Sequence, residues 1–103
     1  NLRSPQKVND QSEILPSENR LYQNYPNPFN ASTKISYSIP NSGFITLKVY
    51  DMLGREIRTL VSAFQEAGAY SINFDANELS SNTYFCRLQG SDFVKIKKML
   101  LIR

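Results

Sequence analysis

Apolar and polar residues alternate along most of the chain from Leu21 onward, in short runs bounded by Gly, Pro, Asn, Asp or Ser. A period of two places successive side chains on opposite faces of a strand, so each run predicts a β-strand with one buried face. No segment favours a helix, and residues 78–81 would form one turn at most. The side chains predicted to point into the core are Ile35, Tyr37, Ile45, Leu47, Val49, Ile72, Phe74, Tyr84, Cys86 and Leu88.

The last run, from Phe93 to Ile102, is less regular, because its alternation breaks around Lys97 and Lys98. An interruption of this kind predicts a β-bulge, in which one strand carries an extra residue. Four apolar residues near the end of this run are expected to supply part of the core: Met99, Leu100, Leu101 and Ile102.

Turn residues divide the chain at regular intervals. The stretch Asp51–Gly54 predicts a type I turn with Gly54 in the left-handed region, followed by a bulge. Further turns are expected at Asn41-Ser42-Gly43, at Gly68 and at Gly90-Ser91-Asp92. With a short first strand at Leu21–Tyr25, we count about seven strands, which predicts an all-β fold, an antiparallel β-sandwich of immunoglobulin-like type.

The first 19 residues show neither the period of a strand nor that of a helix, and Pro5 and Pro16 interrupt them. We therefore predict a flexible linker at 1–19, which joins an upstream domain to one folded domain at 20–103. The stretch Asn1–Asp10 lacks the basic and apolar regions of a signal peptide. Any such signal of the parent protein is expected to lie upstream, if the parent has one.

Composition excludes several kinds of chemistry. The chain has no His and a single cysteine, Cys86, so a Ser-His-Asp triad, an intramolecular disulfide and a four-cysteine zinc site are all excluded. The nine carboxylates form no recognisable acid–base pair, and Cys86 is expected to be a small core residue. We predict no enzyme activity, no cofactor and no metal site. The net charge of +3 is spread along the chain, which argues against a nucleic-acid partner, and no apolar run approaches the roughly 20 residues of a membrane span.

Four segments carry a resemblance to a known family. They are Leu21–Ile39, which contains YPNPFN, then LKVYDMLGREIRTLV at Leu47–Val61, AGAYSINFDANELSSNTYFCRL at Ala67–Leu88, and the closing KIKKMLLIR at Lys95–Arg103. In this order and spacing they resemble the C-terminal sorting domain, type A, of the type IX secretion system, also called the Por secretion system. A related immunoglobulin-like module occurs in flagellar hook-capping proteins.

Three departures from the family pattern leave its PNP core unchanged. Ala31 stands where the family usually has a third proline, Asn82-Thr83 replaces a common Gly-Val, and Cys86 occupies a position that is often Tyr. Asn82 is tolerable in a turn, because Asn adopts the left-handed region more readily than most residues.

The resemblance implies that the folded domain is a secretion address, that it is not catalytic, and that the linker at 1–19 joins it to an upstream cargo domain. It implies recognition by the outer-membrane type IX translocon and its sorting peptidase or transpeptidase. Proteolytic removal of the domain and attachment of the cargo to surface lipopolysaccharide follow in many members. The expected location is secreted or at the cell surface, via the periplasm, in Bacteroidota-type bacteria.

Two other functions stay open. One is an accessory module of a surface hydrolase, for example carbohydrate-binding, and the other is a structural immunoglobulin-like spacer. The six Tyr and six Phe favour the first, although Trp is absent and most of these aromatics are expected to be buried.

Candidate recognition residues lie in two segments. The first is a loop in which two prolines fix φ and two asparagines bond nearby backbone, so that its two aromatic rings either meet a receptor or plug one end of the sandwich. This loop contains Tyr25, Pro26, Asn27, Pro28, Phe29 and Asn30. The second is the basic end of the chain, which either steers the domain to an acidic receptor or prevents edge-to-edge aggregation. It contains Lys95, Lys97, Lys98, Met99 and Arg103. Turn and scaffold roles are assigned to Asp51, Gly54, Arg55, Gly68 and Tyr84.

Overall fold

A computed structural model describes residues 6–7 and 15–103 of the protein. These residues form strands and no helix, so the all-β prediction is confirmed. The strands are β1 (Gln6–Lys7), β2 (Arg20–Leu21), β3 (Ser32–Ile39), β4 (Gly43–Tyr50), β5 (Glu56–Gln65), β6 (Gly68–Asp75), β7 (Asn82–Gln89) and β8 (Val94–Leu101). In this part of the chain there is thus no helix of the length and apolarity needed to cross a membrane.

The eight strands pair into two four-stranded antiparallel sheets. The first sheet has the order β1-β6-β3-β2, and the second has the order β5-β4-β7-β8. Strands β2 to β8 correspond to the seven that the sequence predicts, in the predicted sandwich arrangement, although β2 spans Arg20–Leu21 and not the predicted Leu21–Tyr25. Strand β1 lies within the segment predicted as a linker and pairs with β6, while the rest of that prediction up to residue 14 lies outside the described residues.

The core lies between the two sheets, and all ten side chains predicted to point inward are buried in it. Burying each large apolar side chain contributes roughly 1.5 to 3 kcal/mol. Tyr37 and Tyr70 stack with ring centroids 5.4 Å apart. Burial raises the pKa of Cys86 to about 12, so this thiol stays protonated near neutral pH and acts as a small apolar residue.

Three tyrosines in the core place their hydroxyl groups on acceptors at its rim. Tyr84 donates to the carbonyl of Ser80 at 2.8 Å, and Tyr70 donates to the carbonyl of Glu66 at 2.6 Å, each four residues back along the chain. Tyr37 donates to the side chain of Gln65 at 2.5 Å. A buried hydroxyl without a partner would cost about 1 to 3 kcal/mol, so these bonds allow the rings to be buried.

The turn between β4 and β5 is organised by Asp51. Its Oδ1 accepts hydrogen bonds from the backbone N–H groups of Leu53 and Arg55, both at 2.9 Å, and its Oδ2 accepts one from Arg55 Nε at 2.7 Å. The backbone bond from Arg55 is the main reason that the pKa of Asp51 is lowered. Gly54 has φ 82°, and the β4–β5 register shifts just beyond the turn.

Strand β8 corrects two predictions about the end of the chain. Its register against β7 runs without a shift from Val94 to Leu101, so the predicted bulge is wrong. Met99 and Leu101 are buried, but Leu100 and Ile102 are 39% and 51% exposed, because the alternation continues and places them on the outer face.

The same alternation places two lysines at positions on the inward side of β8, where apolar residues would be expected. Lys95 pairs with Leu88 and Lys97 pairs with Cys86, so both lysines share the inward side of the sheet with Met99. They are nevertheless exposed, because the facing edge of the first sheet is the two-residue strand β2, which does not cover them.

Candidate functional site

The predicted loop Tyr25–Asn30 lies against the outer edge of β8. The backbone N–H of Phe29 donates to the carbonyl of Leu100 at 2.9 Å, and the N–H of Ile102 donates to the carbonyl of Phe29 at 2.9 Å. Phe29 and Leu101 form a parallel bridge. The two segments that the sequence offered as separate recognition candidates are therefore joined by backbone hydrogen bonds.

Side chains extend this contact along the strand. Asn27 Oδ1 accepts a hydrogen bond from the N–H of Leu100 at 2.9 Å, and Gln23 Nε2 donates to the carbonyl of Lys98 at 2.7 Å. The backbone groups that form these hydrogen bonds with residues 23–29 therefore lie between Lys98 and Ile102. We call Gln23–Asn30 and Lys98–Ile102 together the loop–strand surface.

A buried polar pair supports the base of the loop. Asn24 Nδ2 donates to the carbonyl of Pro26 and to Thr33 Oγ1, both at 3.0 Å, and Thr33 Oγ1 donates to the carbonyl of Pro26 at 2.8 Å. Both side chains are buried. Sequence reasoning missed them, although Thr33 occupies an inward position in the alternation of β3, where a polar residue needs a partner.

Backbone geometry also fixes the ends of the loop. Tyr25 exchanges hydrogen bonds with Lys34, its N–H donating at 3.0 Å and its carbonyl accepting at 2.9 Å. The peptide bonds before Pro26 and Pro28 are both cis. Ala31 has φ 78°, a value that proline cannot adopt because its ring holds φ near −65°. The chain therefore leaves the loop in a backbone conformation that a proline at position 31 could not adopt.

The two aromatic rings of the loop have opposite environments. Phe29 is 2% exposed and its ring centroid lies 6.1 Å from that of Phe74, so it fills the end of the sandwich. Tyr25 is 81% exposed. Pro26, Pro28 and the two asparagines Asn27 and Asn30 are also exposed, so the surface open to a partner consists of Tyr25 and its polar or proline neighbours.

Arg103 anchors the end of the chain to the connection between β6 and β7. Its N–H donates to Ser81 Oγ at 2.8 Å. Its Nη1 donates to the carbonyls of Ala76 at 3.1 Å and Leu79 at 2.9 Å, and also to that of Asn77. These bonds give Arg103 a structural task that the sequence pattern, in which it is one more basic residue, did not indicate.

The remaining basic candidates lie in the first five residues of β8. Lys95, Lys97 and Lys98 are exposed and take part in no ion pair within the described part of the chain. Lys95 and Lys97 border a groove of about 410 Å³, whose other wall is Glu18–Gln23. Met99 is fully buried and belongs to the core.

The remaining scaffold candidates lie at turns or in the core. Gly68 is buried at the start of β6, opposite Ile39. Within residues 6–7 and 15–103, no three His, Cys, Asp or Glu residues lie close enough together to hold a metal ion.

Comparison with known families gives a match over nearly the same part of the chain as the folded domain. Residues 23–103 match the family model described as a secretion system C-terminal sorting domain. The match begins at Gln23, in the loop–strand surface, and includes all of β3 to β8. No curated protein matches the chain.

Proposed function

Because the chain belongs to the family of secretion system C-terminal sorting domains, we propose that residues 20–103 direct a covalently linked upstream cargo domain through the outer membrane by type IX secretion. The observation that carries this proposal is the family match, which extends over both halves of the loop–strand surface. The chain itself performs no catalysis in this process. It acts as an address that the secretion machinery binds.

The geometry supports an address that exists only in the folded protein. Tyr25 is held by backbone bonds to β3, and Asn27 and Phe29 are held by bonds to β8. Unfolding would separate the loop from the strand, because no local contact holds them together. A receptor that binds this surface therefore distinguishes a folded domain from an unfolded one.

The later steps are part of the same proposal and are supported by the family resemblance. The partners are the outer-membrane translocon and its sorting peptidase or transpeptidase. Cleavage falls within the linker predicted at 1–19, after which the cargo is released or attached to the cell surface. The route to the secreted or surface location passes through the periplasm.

A second candidate function is a binding module that stays on a surface hydrolase, for example a carbohydrate-binding one. Fewer aromatics are buried than the sequence predicted: Phe29, Tyr37, Tyr70, Phe74 and Tyr84 are buried, and Tyr22, Tyr25, Phe44 and Phe64 are exposed. Phe44 and Phe64 lie directly opposite each other on β4 and β5 and are 57% and 68% exposed. Exposed aromatic pairs provide contact area for a ligand.

The test is a fusion of the full chain behind a periplasm-directed reporter, in a host with a type IX apparatus. The wild-type fusion should appear outside the cell, and a fusion that lacks residues 97–103 should not, because it loses Met99, Leu101 and the anchor at Arg103. The variant Lys95→Gln/Lys97→Gln keeps the fold within about 0.5 kcal/mol and tests the basic residues alone. Normal export of this variant would assign the address to the 25–30 loop. A folded wild-type fusion that stays in the periplasm, together with glycan binding, would support the accessory module instead.

A further inference from the structure

The outer edge of β8 is occupied along only part of its length. In an antiparallel ladder, the N–H and C=O of every second residue point away from the paired strand. Leu100 uses both of these groups to bond the 25–30 loop, and Lys98 uses its carbonyl to bond Gln23. Even-numbered residues of β8 therefore point away from β7, and this set includes Val94 and Ile96.

The half of this edge from Val94 to Lys98, which we call the free edge, has backbone groups available for pairing. Ile96 exposes one N–H and one C=O, and Lys98 exposes its N–H, with no partner for any of them in the described residues. The apolar side chains of Val94 and Ile96 are 46% and 56% exposed on the outer face of the sheet. An edge of this kind is a template for one more strand.

The charges around the free edge select the occupant. Lys95 and Lys97 project on the inward side, next to the groove, and neither has an ion-pair partner among residues 6–7 and 15–103. The acidic residue on the opposite wall, Glu18, is already paired with Arg20 at 2.6 Å. Within the part of the chain that the structure describes, the positive charge at the free edge is therefore not compensated, and such a site attracts carboxylates.

A second copy of the chain is a poor occupant for the same reason. If two β8 edges paired antiparallel about Ile96, Lys95 of one copy would lie opposite Lys97 of the other, and the same contact would occur twice. Like charges directly opposite each other destabilise a strand pair. Lysines on an edge strand prevent self-association in this way.

We propose that the free edge Val94–Lys98 binds an extended acidic segment of another protein, which adds to the second sheet as a strand beside β8. Alternate residues of that segment are acidic and face Lys95 and Lys97. The intervening residues are apolar and pack against Val94 and Ile96. Main-chain hydrogen bonds to Ile96 and Lys98 hold the segment in register. This interaction needs only the domain itself and is separate from its export.

The probe is a capped eight-residue peptide of alternating glutamate and valine, titrated into the isotopically labelled full chain. The expected result is that the amide signals of Ile96 and Lys98 shift and exchange more slowly with solvent, while those of the Asp51 turn do not change. The matched control is the same peptide with lysine in place of glutamate, which should bind at least about tenfold more weakly.

Two variants separate backbone pairing from charge. Ile96→Pro removes the outward N–H but none of the bonds to β7, so the fold should persist and peptide binding should be lost. Should Ile96→Pro fail to fold, Lys95→Glu/Lys97→Glu gives an independent test, because it should reverse the preference between the two peptides. Equal binding of both peptides, absence of any shift at millimolar peptide, or shifts confined to other surfaces would each overturn the proposal.

Discussion

Tyr25 and Phe29 provide the sharpest contrast between recognition and scaffold, because they lie four positions apart in one loop. Phe29 is 2% exposed and packs against Phe74, whereas Tyr25 is 81% exposed. Replacing a buried Phe by Ala typically costs about 3 to 5 kcal/mol, and replacing an exposed side chain changes stability by about 0.5 kcal/mol or less. A domain of this size has a stability of roughly 5 to 15 kcal/mol, so Phe29→Ala removes a large part of it.

The assay is chemical denaturation of the two alanine variants and the wild type, followed by export of the corresponding fusions. We expect Phe29→Ala to lower the free energy of unfolding by about 3 to 5 kcal/mol and to lower export through loss of folded protein. We expect Tyr25→Ala to unfold like the wild type and to be exported poorly, because the exposed ring is part of the address. The variant Phe29→Leu, which keeps much of the buried volume, should fall between Phe29→Ala and the wild type in both measurements.

Two results would refute this reasoning. If Phe29→Ala cost less than about 1 kcal/mol, the ring would not fill the end of the sandwich as described. If Tyr25→Ala lost as much stability as Phe29→Ala, the exposed ring would be part of the scaffold. Export of Tyr25→Ala at the wild-type level would remove the ring from the address.

Three further predictions concern turns and chain ends. A Cβ at Gly90 would lie 2.3 Å from the Phe93 ring, so Gly90→Ala should destabilise the domain by about 1 to 3 kcal/mol in chemical denaturation. The control is Gly43→Ala, which should not destabilise the domain, because no atom lies within 4 Å of the added Cβ. Equal effects of the two substitutions would contradict this prediction. The pKa of Asp51 is lowered in the folded state, so its stabilising effect is present at pH values above the ordinary pKa of 3.8 and is lost as pH falls through the folded-state pKa. Asp51→Asn should therefore make the free energy of unfolding depend less on pH on the acid side. An unchanged pH dependence would contradict the pKa shift. Arg103→Gln should lower the free energy of unfolding by about 1 kcal/mol, because its bonds to the β6–β7 connection are lost, and no change would show that they do not hold the chain end.

The strands were predictable because their signal is local. A period of two in runs such as Ile45, Leu47 and Val49 requires no knowledge of the rest of the chain, and these side chains are buried as expected. The two-residue strand β1 was not predictable, because Gln6 and Lys7 are both polar and no apolar side chain marks a buried face. The bulge predicted around Lys97 and Lys98 was wrong, because polar residues at the inward positions 95 and 97 reflect the short facing strand β2 and not a shift in register.

The arrangement of the candidate site was less accessible to sequence reasoning. The sequence marked the 25–30 loop and the last strand, but contact between Phe29 and Leu101 joins residues far apart in the chain, and no periodicity encodes it. The separation of Tyr25 from Phe29 into exposed and buried rings depends on the same contact. Asn24 was missed because a single polar residue before a loop carries no pattern.

The most direct test of the export function is the amount of reporter outside the cell for the full-chain fusion. It should be measured in a host with a type IX apparatus and in the same host without its outer-membrane translocon. The reporter should accumulate outside only the first host and stay in the periplasm of the second, with the domain folded in both. Equal amounts outside both hosts, or none outside either, would contradict the assignment of this domain as a type IX sorting address.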